Sequence, residues 1–500
     1  MVLVEVIAGL FVAIWLLAQW WQRSAKNYWK KIGIPYIPGR PFIGSGFVFK
    51  QSMGEFFMDL YNDPGTKNEP IAGFYFFHKP SLLIRDPELI KRILVTDFNV
   101  FMDRIFSSDP ISDTVGVNLL PMVKGEKWKK VRFGISPVFT GNKLKNFFLI
   151  VKQTCDEFDV KLAADTAKGT AEYDVKHLSG LLTVDMIAQC FFGVKANSLT
   201  NPKSEFYENA NAMTEFTLRQ TFAFFCGGFF PEYAQTLKIT LFPRSVNKFL
   251  QETINYVMSN REASGVKCND LIDILITMKK TQKEIFDGDV LVGQAATFLA
   301  AGYETTSSAI SFALYSLAKH PEVQEKLRKE ILEEIEKSGG VTYEGIHNLE
   351  YTNMVIQETL RMYPSLTVLD RIYMPQDNEP YSLEPHHPSS IPKGISVYIP
   401  TFGIHRDPNF YPNPETFNPE RFRDISNDPQ SKYMFLSFGL GPRQCLGARF
   451  GMIQMKMALI SILRNYRVEC CAKTPEKIRI DSKAIILQSK DPIQLIFRKL

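Results

Sequence analysis

The segment FGLGPRQCLG, residues 438–447, sets a single cysteine among glycines, a proline and an arginine. Glycines let the backbone approach closely, and such a turn can direct backbone N–H groups at a thiolate. A helix is predicted directly after the turn, which brings its positive end near Cys445. A lone cysteine cannot hold zinc or an iron–sulfur cluster, whereas haem iron needs only one such protein ligand. The segment therefore indicates a metal-bound thiolate, and the plainer alternative is a buried loop cysteine.

The rest of the composition excludes several other classes of site. The chain has seven cysteines, and no CxxC pair or CxxCH motif occurs, which argues against zinc ribbons, thioredoxin-type sites and thioether-bound haem. The irregular spacing is typical of reduced thiols on the cytosolic side. A net charge of only +5 argues against nucleic-acid binding.

The N-terminal segment has the pattern of a membrane anchor. Residues 2–18 are apolar apart from Glu5, and two tryptophans and a basic cluster follow them. Such a run can span a bilayer, and basic residues behind it mark the cytoplasmic side. We expect a transmembrane signal anchor over residues 1–22 and a basic, proline-rich strap over residues 23–45. The alternative is a cleaved signal peptide, which would carry its basic residues before the apolar run.

The remaining 46–500 are predicted to be mainly α-helical with small β-sheets. A hairpin followed by a helix is expected in 71–98, helices dominate from about 125 to 375, and strands broken by a turn at Asp491-Pro492 are expected in 477–500. Residues 289–318 form a long apolar stretch, but polar groups crowd its middle. We therefore predict a helix through the centre of the domain rather than a second membrane span. Length alone would allow two or three domains.

The cysteine segment resembles the haem-binding loop of the cytochromes P450, the haem-thiolate monooxygenases. The matching residues are Phe438, Gly441, Arg443, Cys445 and Gly447. The resemblance implies that Cys445 is the axial ligand of the iron of haem b. It also implies that the other four residues shape the loop or contact the haem.

Three further segments resemble family motifs in the family's order. ETLR, residues 358–361, and PERF, residues 419–422, imply a buried structural network of Glu358, Arg361 and Arg421. WKKVR, residues 128–132, implies that Trp128 and Arg132 bind a haem propionate. By the same resemblance Arg371, Arg443 and Arg104 are expected to face propionates.

AGYETT, residues 301–306, resembles the oxygen-activation motif. The resemblance places Ala301 against the haem and makes Glu304 and Thr305 the catalytic acid–alcohol pair. Activation of dioxygen consumes protons, and a hydroxyl backed by a carboxylate can relay them from water. The alternative is a threonine that only bonds back to its own helix.

The resemblance covers about residues 30–500 and implies one catalytic domain over 46–500. That domain would have the cytochrome P450 fold, a triangular helical prism around a buried haem, behind an N-terminal transmembrane helix. The local sequence is most similar to the microsomal, xenobiotic-metabolising branch of the family, and within it to insect enzymes. This implies a single-pass protein of the endoplasmic reticulum membrane, with the catalytic domain facing the cytosol.

The implied reaction inserts one oxygen atom of O2 into small apolar molecules, either xenobiotics or endogenous lipids and hormones. No GxGxxG motif occurs, so electrons from NADPH should arrive through NADPH–cytochrome P450 reductase, with cytochrome b5 as a second candidate donor. A basic face that attracts the reductase is expected at Lys127, Lys129, Lys130, Lys432 and Arg449. The implied substrate pocket is lined by Phe106, Phe222, Phe224, Phe225, Ala300, Val368 and Leu369.

Two other functions remain open at this point. A haem-thiolate isomerase or dehydratase would need neither O2 nor a reductase, and the Glu304–Thr305 pair argues against it. A non-enzymatic haem-binding membrane protein would have no use for proton-relay residues. Dependence on NADPH distinguishes both from a monooxygenase.

Overall fold

The computed structural model describes residues 2–40, 43–46, 50–77, 79–215, 217–425 and 433–500. The chain divides into two compact units. The first consists of Met1–Ile105, Leu366–Phe410 and Tyr433–Gln444, and the second of Phe106–Ser365, Tyr411–Lys432 and Cys445–Leu500. The predicted basic residue Lys432 lies outside the described residues.

A four-stranded sheet organises the first unit. Its strands are β1 (Ile71–Phe76), β2 (Lys79–Ile84), β4 (Leu369–Ile372) and β7 (Ser396–Ile399), in the order β1-β2-β7-β4. The β1–β2 pair is the predicted hairpin, β2 runs parallel to β7, and β7 runs antiparallel to β4. Strands β5 (Tyr381–Ser382) and β6 (Ser390–Ile391) form a separate pair. The helices of this unit are α1 (Val2–Ile32), α2 (Met53–Tyr61), α3 (Pro87–Lys91) and α16 (Thr401–Ile404).

The end of α1 packs into this sheet. Trp29 is fully buried, and its indole Nε1 donates a hydrogen bond of 3.2 Å to the carbonyl of Phe74 on β1. Gly73 makes room for the indole, because a Cβ there would lie 2.5 Å from the Trp29 ring. The chain after α1 then pairs with β1, since Ile37 donates to the Gly73 carbonyl. Within the part of the chain that the structure describes, no helix combines the length and apolar character that a membrane span needs.

The second unit is mainly helical, as the sequence predicts for this region. Its helices up to the long central one are α4 (Gly125–Ile135), α5 (Gly141–Asp165), α6 (Val175–Ile187), α7 (Glu205–Thr214), α8 (Leu218–Phe229), α9 (Pro231–Ala234), α10 (Arg244–Ser264), α11 (Leu271–Thr281) and α12 (Asp289–Lys319). The later ones are α13 (Pro321–Ser338), α14 (Tyr343–Asn348), α15 (Glu350–Met362), α17 (Arg421–Ile425) and α18 (Ala448–Leu463). A three-stranded antiparallel sheet has the order β3 (Thr170–Asp174), β9 (Gln494–Lys499) and β8 (Tyr466–Cys470).

Helix α12 forms the core of the second unit and packs against α6, α15 and α18. Most of its residues are buried, which agrees with a domain-centre helix. Its middle departs from this pattern, because Ala301 is exposed and Ala300, Gly302 and Thr305 are partly exposed. A narrow strip of an otherwise buried helix is therefore left uncovered by the protein.

The prediction of strands on both sides of Asp491-Pro492 is wrong in part. In 477–500 the only strand is β9, and a single bridge joins Ile480 to Ser489. Arg479 instead binds Asp491 through two hydrogen bonds of 2.6 Å. Backbone hydrogen bonds from Lys490 to the Arg479 carbonyl and from Asp481 to the Gln488 carbonyl also join the two arms of this loop, so the pairing ends after one bridge.

Candidate active site

The loop that contains Cys445 relies on glycine for its path. Gly439 and Gly441 have φ values of 71° and 73°, in the left-handed region that glycine favours. A Cβ on Gly441 would lie 1.9 Å from the carbonyl oxygen of Leu94. Gly447 is the N-cap of α18, so Cys445 lies just before the positive end of this helix.

Cys445 has a different environment from the structural cysteines. Cys155, Cys190 and Cys226 are buried, whereas Cys445 is exposed. Burial raises the pKa of the Cys155 thiol to about 12 and that of Cys190 well above its usual value, which keeps both protonated. An accessible sulfur beside a helix N-terminus is suited to bind a metal as a thiolate.

The first unit contains a cluster of buried arginines. Arg371 and Arg443 are 2% and 7% exposed, and each has its pKa lowered to about 9, by burial first and then by Arg104. Arg371 donates to the carbonyl of Asp370 over 2.7 Å, and Arg443 lies 3.8 Å from a carboxylate oxygen of Asp103. The cluster therefore carries more positive charge than its neighbours offset.

These arginines fit a group that brings its own negative charge. Arg104 Nε and Arg371 Nε are buried and have no hydrogen-bond partner among the described residues. Buried charges and donors are normally paired, and guanidinium groups bind carboxylates with two parallel hydrogen bonds. Arg104, Arg371 and Arg443 are thus suited to hold the carboxylates of a haem.

Trp128 and Arg132 are one turn apart on α4, as their spacing predicts. Trp128 is buried and Arg132 is partly exposed. Their role toward a haem propionate stays a prediction.

The predicted Glu–Arg–Arg network forms in the second unit. Glu358 and Arg361 are completely buried, and Arg361 donates to both carboxylate oxygens over 2.7 and 2.9 Å. Arg421 Nε donates to Glu358 Oε1 over 3.0 Å, and the Asn418 amide adds a fourth hydrogen bond of 2.9 Å. Arg361 and Arg421 also bind the carbonyls of Pro414 and Pro412. The carboxylate thus joins α15 to the segment 412–421.

The acid–alcohol pair on α12 divides between two faces of the helix. The Thr305 hydroxyl donates to the Ala301 carbonyl over 2.6 Å, on the uncovered strip. Glu304 is buried, and its Oε1 lies 2.7 Å from Lys176 Nζ on α6 and accepts a hydrogen bond of 2.7 Å from Ser308. The structure therefore joins Glu304 to a cation that the sequence analysis did not identify.

Part of the predicted pocket forms an aromatic cluster in the second unit. Phe106 stacks on Phe224 with ring centroids 4.1 Å apart, and it meets Phe229 edge to face at 5.7 Å. Phe225 is buried and stacks on Phe229, whereas Phe222 is 54% exposed. The other predicted pocket residues are Ala300, Val368 and Leu369, of which Leu369 is buried and the other two are partly exposed.

Comparison with known proteins shows which family this chain belongs to. The profile of the cytochrome P450 family matches residues 35–497. The chain belongs to the cytochrome P450 family. It is 40% identical over 488 residues to "Probable cytochrome P450 6g2" of Drosophila melanogaster, which covers 94% of both chains. It is 34% identical over 481 residues to "Cytochrome P450 6l1" of Blattella germanica, which covers 95% of this chain and 93% of the relative.

These matches confirm the predicted resemblance, including its insect branch. The chain is a P450 monooxygenase, an oxidoreductase of the haem-thiolate type with haem iron as its cofactor. The mainly helical fold with small sheets is that of the P450 family. As in the family generally, electrons come from a redox partner such as a reductase.

Sequence reasoning missed Lys176, Ser308 and the acidic neighbours of the arginine cluster. Lys176 lies in the first turn of α6, where the helix dipole disfavours a cation. This unfavourable position is the feature of the sequence that could have suggested an acidic partner for Lys176. Asp370 directly precedes Arg371 and accepts a 2.7 Å hydrogen bond from the Ile105 amide. That contact joins residues 265 positions apart, so no local pattern could have shown it.

Proposed function

We propose that this P450 is a membrane-bound enzyme of the endoplasmic reticulum that oxygenates small apolar molecules with electrons from NADPH. The haem iron, when bound, supplies the activation of O2, one atom of which enters the substrate. The observation that carries the proposal is the uncovered strip of α12, where Ala301 and Thr305 lie next to the buried Glu304.

The chain's own residues would bind the haem and provide a group that can pass on a proton. In the first unit Arg104, Arg371 and Arg443 would hold the haem carboxylates. In the second unit Cys445 would bind the iron, as the family motif implies. The Thr305 hydroxyl, held by the Ala301 carbonyl, presents its oxygen on the uncovered strip as a place where a proton can be received and passed on.

An apolar substrate class is supported by the aromatic cluster. Phe106 and Phe224 present a stacked, partly exposed surface that favours apolar molecules over charged ones. No group in this cluster can hydrogen-bond a polar substrate, so shape and apolar area would select among substrates. Both xenobiotics and endogenous lipids satisfy that chemistry.

Exposed apolar side chains of α1 support the proposed membrane attachment, and exposed basic side chains support the proposed electron donor. Described side chains of α1 such as Val6, Leu10, Trp15 and Leu17 are more than half exposed, which suits a single-pass anchor over residues 1–22. Lys127, Lys129, Lys130 and Arg449 are exposed in the second unit and would attract the acidic face of NADPH–cytochrome P450 reductase or of cytochrome b5.

The test begins with the carbon monoxide difference spectrum of the reduced, membrane-expressed protein. We expect a strongly red-shifted Soret band in the wild type that is lost in Cys445→Ala. Cys268→Ala is the matched control, because Cys268 is also exposed and should leave the band unchanged. NADPH consumption with added reductase and a series of apolar substrates follows. A Soret band typical of histidine or neutral-thiol ligation, or no reductase-dependent turnover, would contradict the proposal.

A further inference from the structure

The end of β8 carries two adjacent cysteines that the haem chemistry does not use. Cys470 is the last residue of β8 and is exposed, and Cys471 follows it and is partly exposed. Both are free thiols. Adjacent cysteines occur at no other place in the sequence. The pair is therefore the one point of the chain at which two accessible thiols are direct neighbours.

The turn after β8 brings both thiols to the same hydroxyl group. Thr474 Oγ1 lies 3.5 Å from Cys471 Sγ, and the Cys470 thiol hydrogen-bonds with the same hydroxyl. This hydroxyl is fixed, because it accepts a 2.8 Å hydrogen bond from the Cys471 amide and donates one of 2.6 Å to the Gln494 carbonyl on β9. Successive side chains of a continuous strand point to opposite faces. The turn ends this alternation, so both sulfurs lie beside Thr474 Oγ1.

The environment of the pair favours some kinds of thiol chemistry over others. Burial raises the pKa of the Cys470 thiol, although the nearby Lys319 and Thr474 act against this. A thiol that keeps its proton attacks peroxides and disulfides poorly, because the thiolate is the nucleophile in those reactions. The pair is therefore better suited to an exchange reaction in which the thiol protons leave on a group that the ligand releases.

We propose that Cys470 and Cys471 form a dithiol site that binds monosubstituted trivalent arsenic compounds, R–As(OH)2, outside the haem site. In this exchange two As–O bonds break and two As–S bonds form. The two thiol protons leave with the two hydroxyl groups as two molecules of water. Arsenic stays trivalent throughout, so no oxidant or reductant takes part. The product is a ring that contains the arsenic atom and both sulfurs.

The number and arrangement of the sulfurs favour this ligand over metal ions. Thiol sulfur is a soft ligand and selects soft acceptors. Zinc takes four ligands in a closed protein site, whereas this pair offers two. A two-coordinate ion such as Cu(I) prefers its two sulfurs on opposite sides, whereas trivalent arsenic holds them on one side. Both thiols of the pair already lie on one side, next to Thr474 Oγ1.

The dithiol site is separate from the uncovered strip of α12. Its turn contacts α12 through Tyr315, whose hydroxyl donates to the carbonyls of Pro475 and Glu476 over 3.1 and 2.8 Å. From Ala301 to Tyr315 the helix rises by about 21 Å, since each residue adds about 1.5 Å. Arsenic bound at the pair should therefore leave the haem ligand Cys445 in place.

The test uses the full-length holoenzyme in detergent, treated with phenylarsine oxide and measured by intact-protein mass spectrometry. Phenylarsine oxide takes up water to give the dihydroxy form, which has two exchangeable positions. We expect one phenylarsenic group per chain that persists in excess glutathione, a monothiol, and is removed by 2,3-dimercaptopropanol, a dithiol. The carbon monoxide spectrum of the same sample after reduction should match that of untreated enzyme.

Single variants show whether both sulfurs hold the arsenic. Linking two binding events strengthens the whole by about 100- to 10,000-fold. In Cys470→Ser and in Cys471→Ser, the glutathione concentration that releases half of the phenylarsenic should therefore fall by about 100-fold or more. Cys268→Ser is the matched control, because Cys268 is exposed but has no adjacent cysteine, and it should keep the wild-type value.

Peptide mapping of the wild-type adduct needs no variant, so it decides the question even if a serine variant folds poorly. We expect the phenylarsenic group on the peptide that contains residues 470–471. Equal release by glutathione from wild type and Cys470→Ser, or arsenic mapped to another pair such as Cys155 and Cys190, would overturn the inference. Loss of the red-shifted Soret band on treatment would also overturn it, because Cys445 would then be an arsenic ligand.

Discussion

Replacing Glu358 by glutamine should test how much the buried Glu–Arg–Arg network stabilises the second unit. Glutamine keeps the size of the side chain and one oxygen that can accept from Arg421 and the Asn418 amide. Its NH2 group, however, would face the Arg361 Nε–H, which now donates over 2.7 Å to Glu358 Oε2. Two donors would then face each other at a fully buried position, and two guanidinium groups would lose their counter-charge.

The magnitude follows from the burial of the pair. Removing one partner of a buried ion pair costs about 3–5 kcal/mol of unfolding free energy. Unfolding entropy is about 2.1 cal/mol/K per residue, hence on the order of 1 kcal/mol/K for a chain of 500 residues. The thermal midpoint should therefore fall by about 3–5 °C, as followed by far-ultraviolet circular dichroism and by the Soret band.

Glu469→Gln is the matched control for this prediction. Glu469 binds Arg498 with three hydrogen bonds of 3.0–3.1 Å, but the two side chains are 31% and 52% exposed. Exposed pairs contribute about 0–1 kcal/mol, so the control should lower the midpoint by about 1 °C at most. Equal shifts in the two variants would refute the argument that burial, rather than the number of hydrogen bonds, sets the contribution of Glu358.

Two other buried basic residues, Lys456 and Arg371, give further predictions on stability. Lys456 is 6% exposed with its pKa lowered to about 8 by burial, so between about pH 8 and 10.5 the unfolded chain binds a proton that the folded chain lacks. As the pH rises across this interval, the unfolding free energy of wild type should increase by about 3 kcal/mol relative to that of Lys456→Met. Urea titrations in which the difference between the two proteins does not change with pH would contradict the lowered pKa of Lys456. Arg371→Gln should stabilise the haem-free protein, since it removes one of three mutually repelling guanidinium groups, yet speed haem transfer to apomyoglobin about 10- to 100-fold by losing a charge-assisted bond. Effects of the same sign on both states would show that Arg371 does not bind the haem.

Local sequence patterns predicted the helices and strands well where start and stop residues or apolar runs mark each element. Helix α13 begins at Pro321 and is followed by Gly339 with φ 67°, as the Pro and Gly positions indicate. The β1–β2 hairpin and the buried helix α12 also follow from runs of apolar residues. Of the strands expected in 477–500 only β9 forms, and before Asp491 the backbone pairing is limited to one bridge between Ile480 and Ser489. Nothing in the local sequence signals such a contact.

Motif spacing predicted which residues carry the candidate site but not the partners that orient them. Glu358 and Arg361 are three residues apart on one helix, so their pairing could be read locally. Lys176 and Glu304 are 128 residues apart and meet only because α6 packs on α12 with Gly180 allowing close contact with Tyr303, 3.3 Å from a Cβ there. The orientation of the Glu304 carboxylate is thus set by tertiary packing, and the motif alone does not predict it.

The burial of Trp29 at the end of α1 bears on how the protein can be prepared. Deletion of residues 1–22 removes most of the exposed apolar side chains of α1 and keeps the Trp29 indole packed on β1. Deletion of residues 1–32 also removes the Trp29 side chain from the core of the first unit and leaves its place beside Gly73 empty. Deleting a buried tryptophan side chain lowers the free energy of unfolding by about 3–5 kcal/mol. The useful boundary for a shortened chain is therefore decided by a side chain inside the fold and not by where the apolar run ends.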